Sequence, residues 1–317
     1  MTVNPLQKFI QRQGFALLDG GLATAMEKYG ADLDDELWSA KMLIDAPALI
    51  RQVHSEFLDA GADVIATATY QASFEGFGNK GYSPEKAAQL MRLSVDLAVL
   101  ARENFWSETA LRHERLKPLV AASVGPYGAA LHDGSEYHGN YGLNQQELKD
   151  FHRPRLEVLA DTDADLIAFE TIPSLLEAEA LVEMLEEFPD KTAWLSFSCR
   201  DGQSTSHGES FAASISRVTE SPQVIAAGVN CTAPEFISEL LDSIHNCPVP
   251  LVVYPNSGET WNPEGNRWSG ESCETVPVME WYEKGARILG GCCRVSSDAI
   301  RSIRADLDRC SVKPGGV

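Results

Sequence analysis

The sequence predicts a (β/α)8 barrel that spans residues 1–317 as one domain. Three observations lead there. Eight short apolar or β-branched runs recur, at 16–21, 62–70, 118–127, 164–173, 192–199, 224–231, 250–256 and 286–293. Segments with helical periodicity separate them, and no repeat, linker or low-complexity stretch divides the chain. At 44% hydrophobic, 317 residues can bury a large core. An open doubly wound sheet is the alternative, but eight runs without a Gly-rich phosphate fingerprint favour the closed form.

Taken in order, the runs end in polar residues, and barrel enzymes carry their chemistry at strand C-termini. The first ends in Asp19-Gly20-Gly21 and the second in Thr67-Ala68-Thr69-Tyr70-Gln71. The third closes with Ser123-Val124-Gly125-Pro126-Tyr127 and the fourth holds Phe169-Glu170-Thr171. The sixth ends in Asn230-Cys231, and the seventh leads through Tyr254 and Asn256 to Glu259. Helix candidates fill 48–60, 84–105, 144–160, 175–188, 234–245 and 296–308. Ser174 and Thr232 stand where N-caps belong, and Ser83-Pro84 puts proline at a first helical position. Two long connections, 128–143 and 257–275, are rich in Gly, aromatic and acidic residues. Connections of that length and composition are read as functional loops, with ordinary surface loops as the alternative.

Cysteine placement carries the chemistry. Cys231 closes the sixth run, and Gly290-Gly291-Cys292-Cys293 closes the eighth. Neighbouring residues of a regular strand face opposite ways, so Gly290 and Gly291 are expected to let the backbone bend until both thiols reach one point. Three thiolates converging from two strand ends would form an open zinc site, with three protein ligands and one position for substrate. Single cysteines are also common apolar fillers, which suits Cys199, Cys247, Cys273 and Cys310. An odd total of seven argues against a disulfide framework. Asp19 and Glu170 are acids inside apolar runs, a costly placement unless they bind something or hold the barrel mouth together. No histidine closes a run, so hydrolysis by a histidine-assisted nucleophile is poorly supported.

The net charge of −20 argues against nucleic-acid and anionic-membrane partners. No run is long enough to cross a membrane, and the N-terminus lacks a basic start followed by an apolar core. Unpaired cysteines and the lack of an export signal point to the cytoplasm. Oligomeric state is open, and a homo-oligomer is compatible with the sequence.

The separated Asn230-Cys231 and Gly290-Gly291-Cys292-Cys293 closely resemble the zinc-dependent homocysteine S-methyltransferase family. So do Leu18-Asp19-Gly20-Gly21, Ala68-Thr69-Tyr70-Gln71-Ala72-Ser73 and Phe169-Glu170-Thr171. The stretches 134–141 and 254–259 are similar to the single-domain branch that uses S-methylmethionine or S-adenosylmethionine. The betaine-using branch has a tyrosine near position 71, where this chain has Gln71. The resemblance implies Zn(2+) on Cys231, Cys292 and Cys293, with homocysteine sulfur in the fourth position attacking the methyl of a sulfonium. Asp19 and Glu170 would hold the homocysteine ammonium and backbone N–H groups near Gly20 and Ser123 its carboxylate, with Asn230 also at the substrate. Gln71, Tyr137, Asn256, Glu259 and Trp261 would face the donor. A selenocysteine or other thiol methyltransferase, or a non-catalytic zinc- or thiol-binding protein, remains the alternative. The chemistry is self-consistent: a sulfonium leaves as a neutral thioether, so no general acid is needed and the missing histidine is expected.

Overall fold

The structure is a computed structural model that describes residues 4–33, 35, 37–109, 115–262, 267–269 and 276–310. Eight parallel strands make one sheet: β1 Ala16–Leu17, β2 Val64–Ala66, β3 Leu119–Val124, β4 Leu166–Ile172, β5 Ala193–Phe197, β6 Val224–Asn230, β7 Leu251–Tyr254 and β8 Ala286–Leu289. Their order is β1-β8-β7-β6-β5-β4-β3-β2, and a parallel bridge from Leu18 to Val64 brings the two ends together. The Asp19 amide donates to the Val64 carbonyl at 3.0 Å across that seam. This is the (β/α)8 barrel expected from the eight runs.

Alternation sorts the strands into two cores. Ala16, Leu18, Val64, Ala121, Ala168, Trp194, Ala226, Val252 and Ile288 pack inside the barrel, where alanines leave room for the Trp194 indole. The intervening residues, such as Leu17, Ile65, Val120, Ile167, Leu195 and Val253, pack outward against the helices. The helix Gln7–Gln13 supplies Phe9 to the inner cluster and plugs the N-terminal end. Nearby, the buried Asp63 carboxylate accepts from the Leu17 amide at 3.0 Å, from Gln13 at 2.7 Å and from Arg304 at 3.2 Å. That hub ties β1, β2 and the last helix together at the end opposite the chemistry.

Helices begin close to their expected starts. Pro47–Ala60, Gln145–Ala160, Leu175–Leu185 and Pro234–Ser243 are examples, and Asn144 with Glu147 forms a reciprocal cap. Ser174 caps as expected, its hydroxyl accepting from the Glu177 amide at 3.3 Å. Thr232 does not: Pro234 at the first helical position moves the cap to Ala233, and the Thr232 hydroxyl accepts from the Cys199 amide at 2.9 Å. A helix at Phe211–Val218, outside the expected helical segments, fills the connection from β5 to β6.

The strands are shorter than the runs because their C-terminal ends turn polar and irregular. Beyond β2, Thr67 and Thr69 replace ladder bonds with hydroxyls: Thr67 accepts from the Ser123 amide at 3.0 Å, and Thr69 donates to the Ser123 carbonyl at 2.7 Å. No helix among the described residues is long and apolar enough to cross a membrane.

Candidate active site and metal centre

A cavity of about 590 Å³ opens at the C-terminal end of the barrel, lined by Asp19, Ser123, Glu170, Cys231, Cys292 and Cys293 together with Trp38, Tyr70, Glu136 and Tyr137. Its backbone is strained. Among the described residues, six that are not glycine have φ between 45° and 67°, and five of them (Trp38, His132, Thr171, Cys231 and Arg294) line this cavity. Such conformations persist only where surrounding bonds hold them, and they cluster at functional sites.

The three cysteines converge. Cys231, with φ 47°, turns back directly after β6. Cys292 and Cys293 lie past β8 in a turn closed by a bond from the Val295 amide to the Cys292 carbonyl at 3.1 Å. Gly290 and Gly291 are needed for a different reason from the expected bend. Neither has positive φ; the left-handed residue is Arg294. A Cβ on Gly290 would sit 2.6 Å from Leu18 Cβ, and one on Gly291 would sit 2.2 Å from Val295 Cγ1. The glycines let the segment lie against β1, to which the Gly291 amide is bonded through the Asp19 carbonyl at 3.1 Å.

All three Sγ atoms lie within 4.8 Å of one another, and Cys231 and Cys293 are 3.7 Å apart. Metal–sulfur bonds of about 2.3 Å in a tetrahedron put sulfurs about 3.8 Å apart, so the donors fit a soft divalent cation with one open position. Hydrogen bonds from Cys292, Cys293 and Tyr137 hold the Cys231 thiol well below its usual pKa. Cys292 and Cys293, each hydrogen-bonded to Cys231, resist ionisation in turn. A cation bound among the three sulfurs would draw the protons off them.

Asp19, which is buried, and Glu170, which is partly buried, are the acids of the cavity floor. The Asp19 carboxylate accepts from the Ala66 amide at 2.9 Å, yet burial drives its pKa well up, with the Glu170 charge adding to the shift. Burial, then the Cys292 charge, raises Glu170 to about 7. Glu170 accepts from the Ser123 hydroxyl and, at 3.1 Å, from Tyr254. Tyr254 Oη in turn accepts from Trp194 Nε1 at 2.9 Å and lies 2.7 Å from Ser196 Oγ. This chain of donors fixes Glu170 and leaves carboxylate lone pairs for a cation.

The other expected residues divide. Gly20 lines the cavity beside Asp19, where a Cβ would meet the Val295 carbonyl at 2.4 Å. Ser123 also lines it, but its amide is taken by Thr67 and its hydroxyl by Glu170, so it supports the acid rather than offering a free N–H. Asn230 is fully buried, with Oδ1 accepting from the Thr171 amide at 2.7 Å and Nδ2 donating to Thr171 Oγ1 at 2.7 Å. Gln71 lines the cavity and donates to the Ala129 carbonyl at 2.6 Å. Tyr137 reaches the cysteine cluster from a turn at Ser135–Tyr137. Asn256 bonds to the Cys231 carbonyl at 3.4 Å, and Glu259 bonds to Ser257 at 2.7 Å and Arg294 at 3.1 Å, so both brace the cysteine segments. Trp261 lies in a hairpin strand, Thr260–Asn262, and its side chain is outside the described residues.

Sequence reasoning missed Trp38 and Glu136. Trp38 precedes no recognisable strand, yet its ring meets Tyr70 edge-on at 6.0 Å. Glu136 stood inside a loop marked as functional, next to Tyr137.

Known proteins resemble this chain over most of its length. The homocysteine S-methyltransferase family model matches residues 16–307. Homocysteine S-methyltransferase YbgG of Bacillus subtilis (strain 168) is 46% identical over 96% of this chain and 98% of its own. Selenocysteine Se-methyltransferase of Brassica oleracea var. italica is also 46% identical, over 93% of this chain and 89% of its own. Among solved structures, the metallated form of the homocysteine methyltransferase MmuM from Escherichia coli aligns over 96% of this chain and all of its own, at 41% identity and a TM-score of 0.86. A match running from β1 into the last helix, on a barrel whose strand ends assemble three cysteines, places this chain in the homocysteine S-methyltransferase family.

Proposed function

We propose that this protein transfers a methyl group from a sulfonium donor, S-methylmethionine before S-adenosylmethionine, to the sulfur of homocysteine, giving methionine, with Zn(2+) on Cys231, Cys292 and Cys293. The observation that carries this reading is one cavity joining three converged thiols to the Asp19 and Glu170 carboxylates. A bound zinc ion supplies one thing, the ionisation of a thiol that in water is mostly protonated near neutral pH.

The chain's residues supply the rest. Asp19 and Glu170 take the homocysteine ammonium, whose charge offsets the desolvation that raises both carboxyls. Ser123 and Tyr254 keep Glu170 aimed at it. Trp38, Tyr70 and Tyr137 line the cavity, where an aromatic face attracts a sulfonium. The methyl leaves the sulfonium sulfur with its bonding pair left behind, and the thiolate pair forms the new S–CH3 bond. Anion and cation become two neutral thioethers, a change that a cavity shielded from water favours.

A selenol acceptor suits the same site, because the 46%-identical Brassica relative is named for selenocysteine and the thiolate and selenolate reactions differ only at the attacking atom. Incubation with homocysteine and a panel of donors, scored for methionine by mass spectrometry, tests the reaction. X-ray absorption at the zinc edge tests the metal, with sulfur neighbours expected. No methionine from either sulfonium, or a shell dominated by nitrogen and oxygen, overturns the corresponding part.

A further inference from the structure

We infer that Glu136 recognises the α-ammonium group of the methyl donor, so that the cavity holds two ammonium sites, one for each amino-acid substrate. The inference rests on the methyl-transfer reading above and assigns the donor side of that site.

Glu136 sits on the turn Ser135–Tyr137, entered through Gly134 at φ 83°. The turn is clamped from both sides. A Cβ on Gly128 would lie 2.5 Å from the Glu136 amide nitrogen, and the Ser198 hydroxyl donates to the Glu136 carbonyl at 3.4 Å. Its side chain lines the cavity, and Oε2 is buried with no hydrogen-bond donor among the described protein atoms. A buried carboxylate oxygen without a donor is costly and calls for an explanation. Burial holds the carboxyl up at about 7, and the charge acting on it is that of Asp133, which repels. Among the described residues no positive charge is paired with that oxygen, and a ligand cation would supply one.

Position separates this acid from the other pair. Asp19 and Glu170 act on each other and on Cys292. Glu136 instead acts on Tyr70, Tyr137 and Cys231. A reaction between two α-amino acids brings two ammonium groups into one cavity, and each needs its own carboxylate once desolvated. With one substrate's ammonium at Asp19 and Glu170, the Glu136 carboxylate is left for the other.

The test is Glu136→Gln, which keeps the shape and removes the charge, assayed with saturating homocysteine against two donors. One is S-methylmethionine; the other is trimethylsulfonium, which carries the sulfonium without an ammonium. The expected result is a rise of about tenfold to a hundredfold in KM for S-methylmethionine. The KM for trimethylsulfonium, the KM for homocysteine and the zinc content should stay unchanged. Glu136→Asp, with a shortened carboxylate, should fall between, and it decides the matter should the Gln variant not fold. An unchanged KM for S-methylmethionine, or equal losses with both donors, overturns the inference. Absence of methionine from the wild-type protein would instead overturn the underlying reaction, so the two failures are distinguishable.

Discussion

Asn230 Nδ2 lies 3.8 Å from Cys292 Sγ, although 62 residues separate the two in the chain. The contact joins the last residue of β6 to the turn beyond β8. The same amide group holds both the N–H and the hydroxyl of Thr171, a β-branched residue at φ 62°. One fully buried side chain therefore fixes a strained residue next to Glu170 and orients a cysteine of the metal centre.

Replacing Asn230 by alanine should loosen both. Partners of this kind, one bond removed from the metal, typically change its affinity about tenfold to a hundredfold when lost. Competition with a graded chelator should show that loss for Asn230→Ala while circular dichroism stays native. Wild-type zinc retention would show that the amide serves Thr171 alone.

For the cysteines themselves the expectation is sharper. Cys231→Ser should lose zinc and methyl transfer together, because two thiolates and a hydroxyl make a far weaker soft-metal site. Cys247→Ser should keep both, since that thiol is half-buried and does not line the cavity. Metal analysis beside a turnover assay separates the two, and a zinc-loaded Cys231→Ser protein would reject the ligand set.

Much of this was legible in the sequence because it rests on strand periodicity. Eight apolar runs forecast eight strands, and polar residues at their ends forecast Asp19, Glu170 and the cysteines. What stayed hidden came from elements that have no period. Trp38 reaches the cavity from a short 3-10 turn, Trp38–Lys41, with a left-handed first residue, and no local pattern announces it. The bonds of Asn230 to Thr171 and its contact with Cys292 join residues remote in sequence, so the sequence does not announce them. The role of Gly290 and Gly291 depends on Leu18 and Val295, which are remote in sequence, so only the folded chain shows that space rather than flexibility is needed.

Asp19→Asn and Glu170→Gln should weaken homocysteine binding without releasing zinc. Each keeps its shape and loses its charge, so an incoming ammonium meets one buried carboxylate in place of two. A rise of about tenfold or more in homocysteine KM is expected for each, from the loss of one charge-assisted bond. Titration of homocysteine into the zinc-loaded variants gives the affinity directly. Zinc loss in step with activity would instead mark these acids as supports of the metal centre, and unchanged affinity would reject the assignment.

Stability should depend on pH through His54. Its imidazole is fully buried on the helix Pro47–Ala60, neither ring nitrogen has a hydrogen-bond partner, and burial lowers its pKa to about 4. The unfolded chain takes up the proton near the ordinary value of about 6.5, before the folded one does. Stability from this group is therefore present above pH 6.5 and is lost as pH falls toward 4. Glu170 and Glu177, both raised to about 7, act in the opposite sense, losing stability as pH rises from the ordinary carboxyl range to 7. They are common to wild type and His54→Leu, so the difference between the two proteins isolates the imidazole. Between pH 7.5 and pH 5 the wild type should lose about 2 kcal/mol relative to His54→Leu. Parallel denaturation profiles across that range would refute the assignment.

The donor preference follows from the same cavity. S-methylmethionine should be used better than S-adenosylmethionine, and betaine and methylfolate should not be used. Betaine is a methylated cation of similar charge, so charge alone does not exclude it. Its quaternary nitrogen has no N–H to offer Glu136, and it leaves as a tertiary amine, which needs more activation than a thioether. Methylfolate has no cationic methyl at all, and its leaving nitrogen needs more activation than a thioether. S-adenosylmethionine carries both the sulfonium and the ammonium, and its larger adenosyl group has to share about 590 Å³ with homocysteine. Methionine yield from each donor, at matched concentration with saturating homocysteine, ranks them. Comparable yields from betaine and S-methylmethionine would overturn the sulfonium preference and, with it, the reason for an ammonium site at Glu136, while leaving the cysteine metal centre in place.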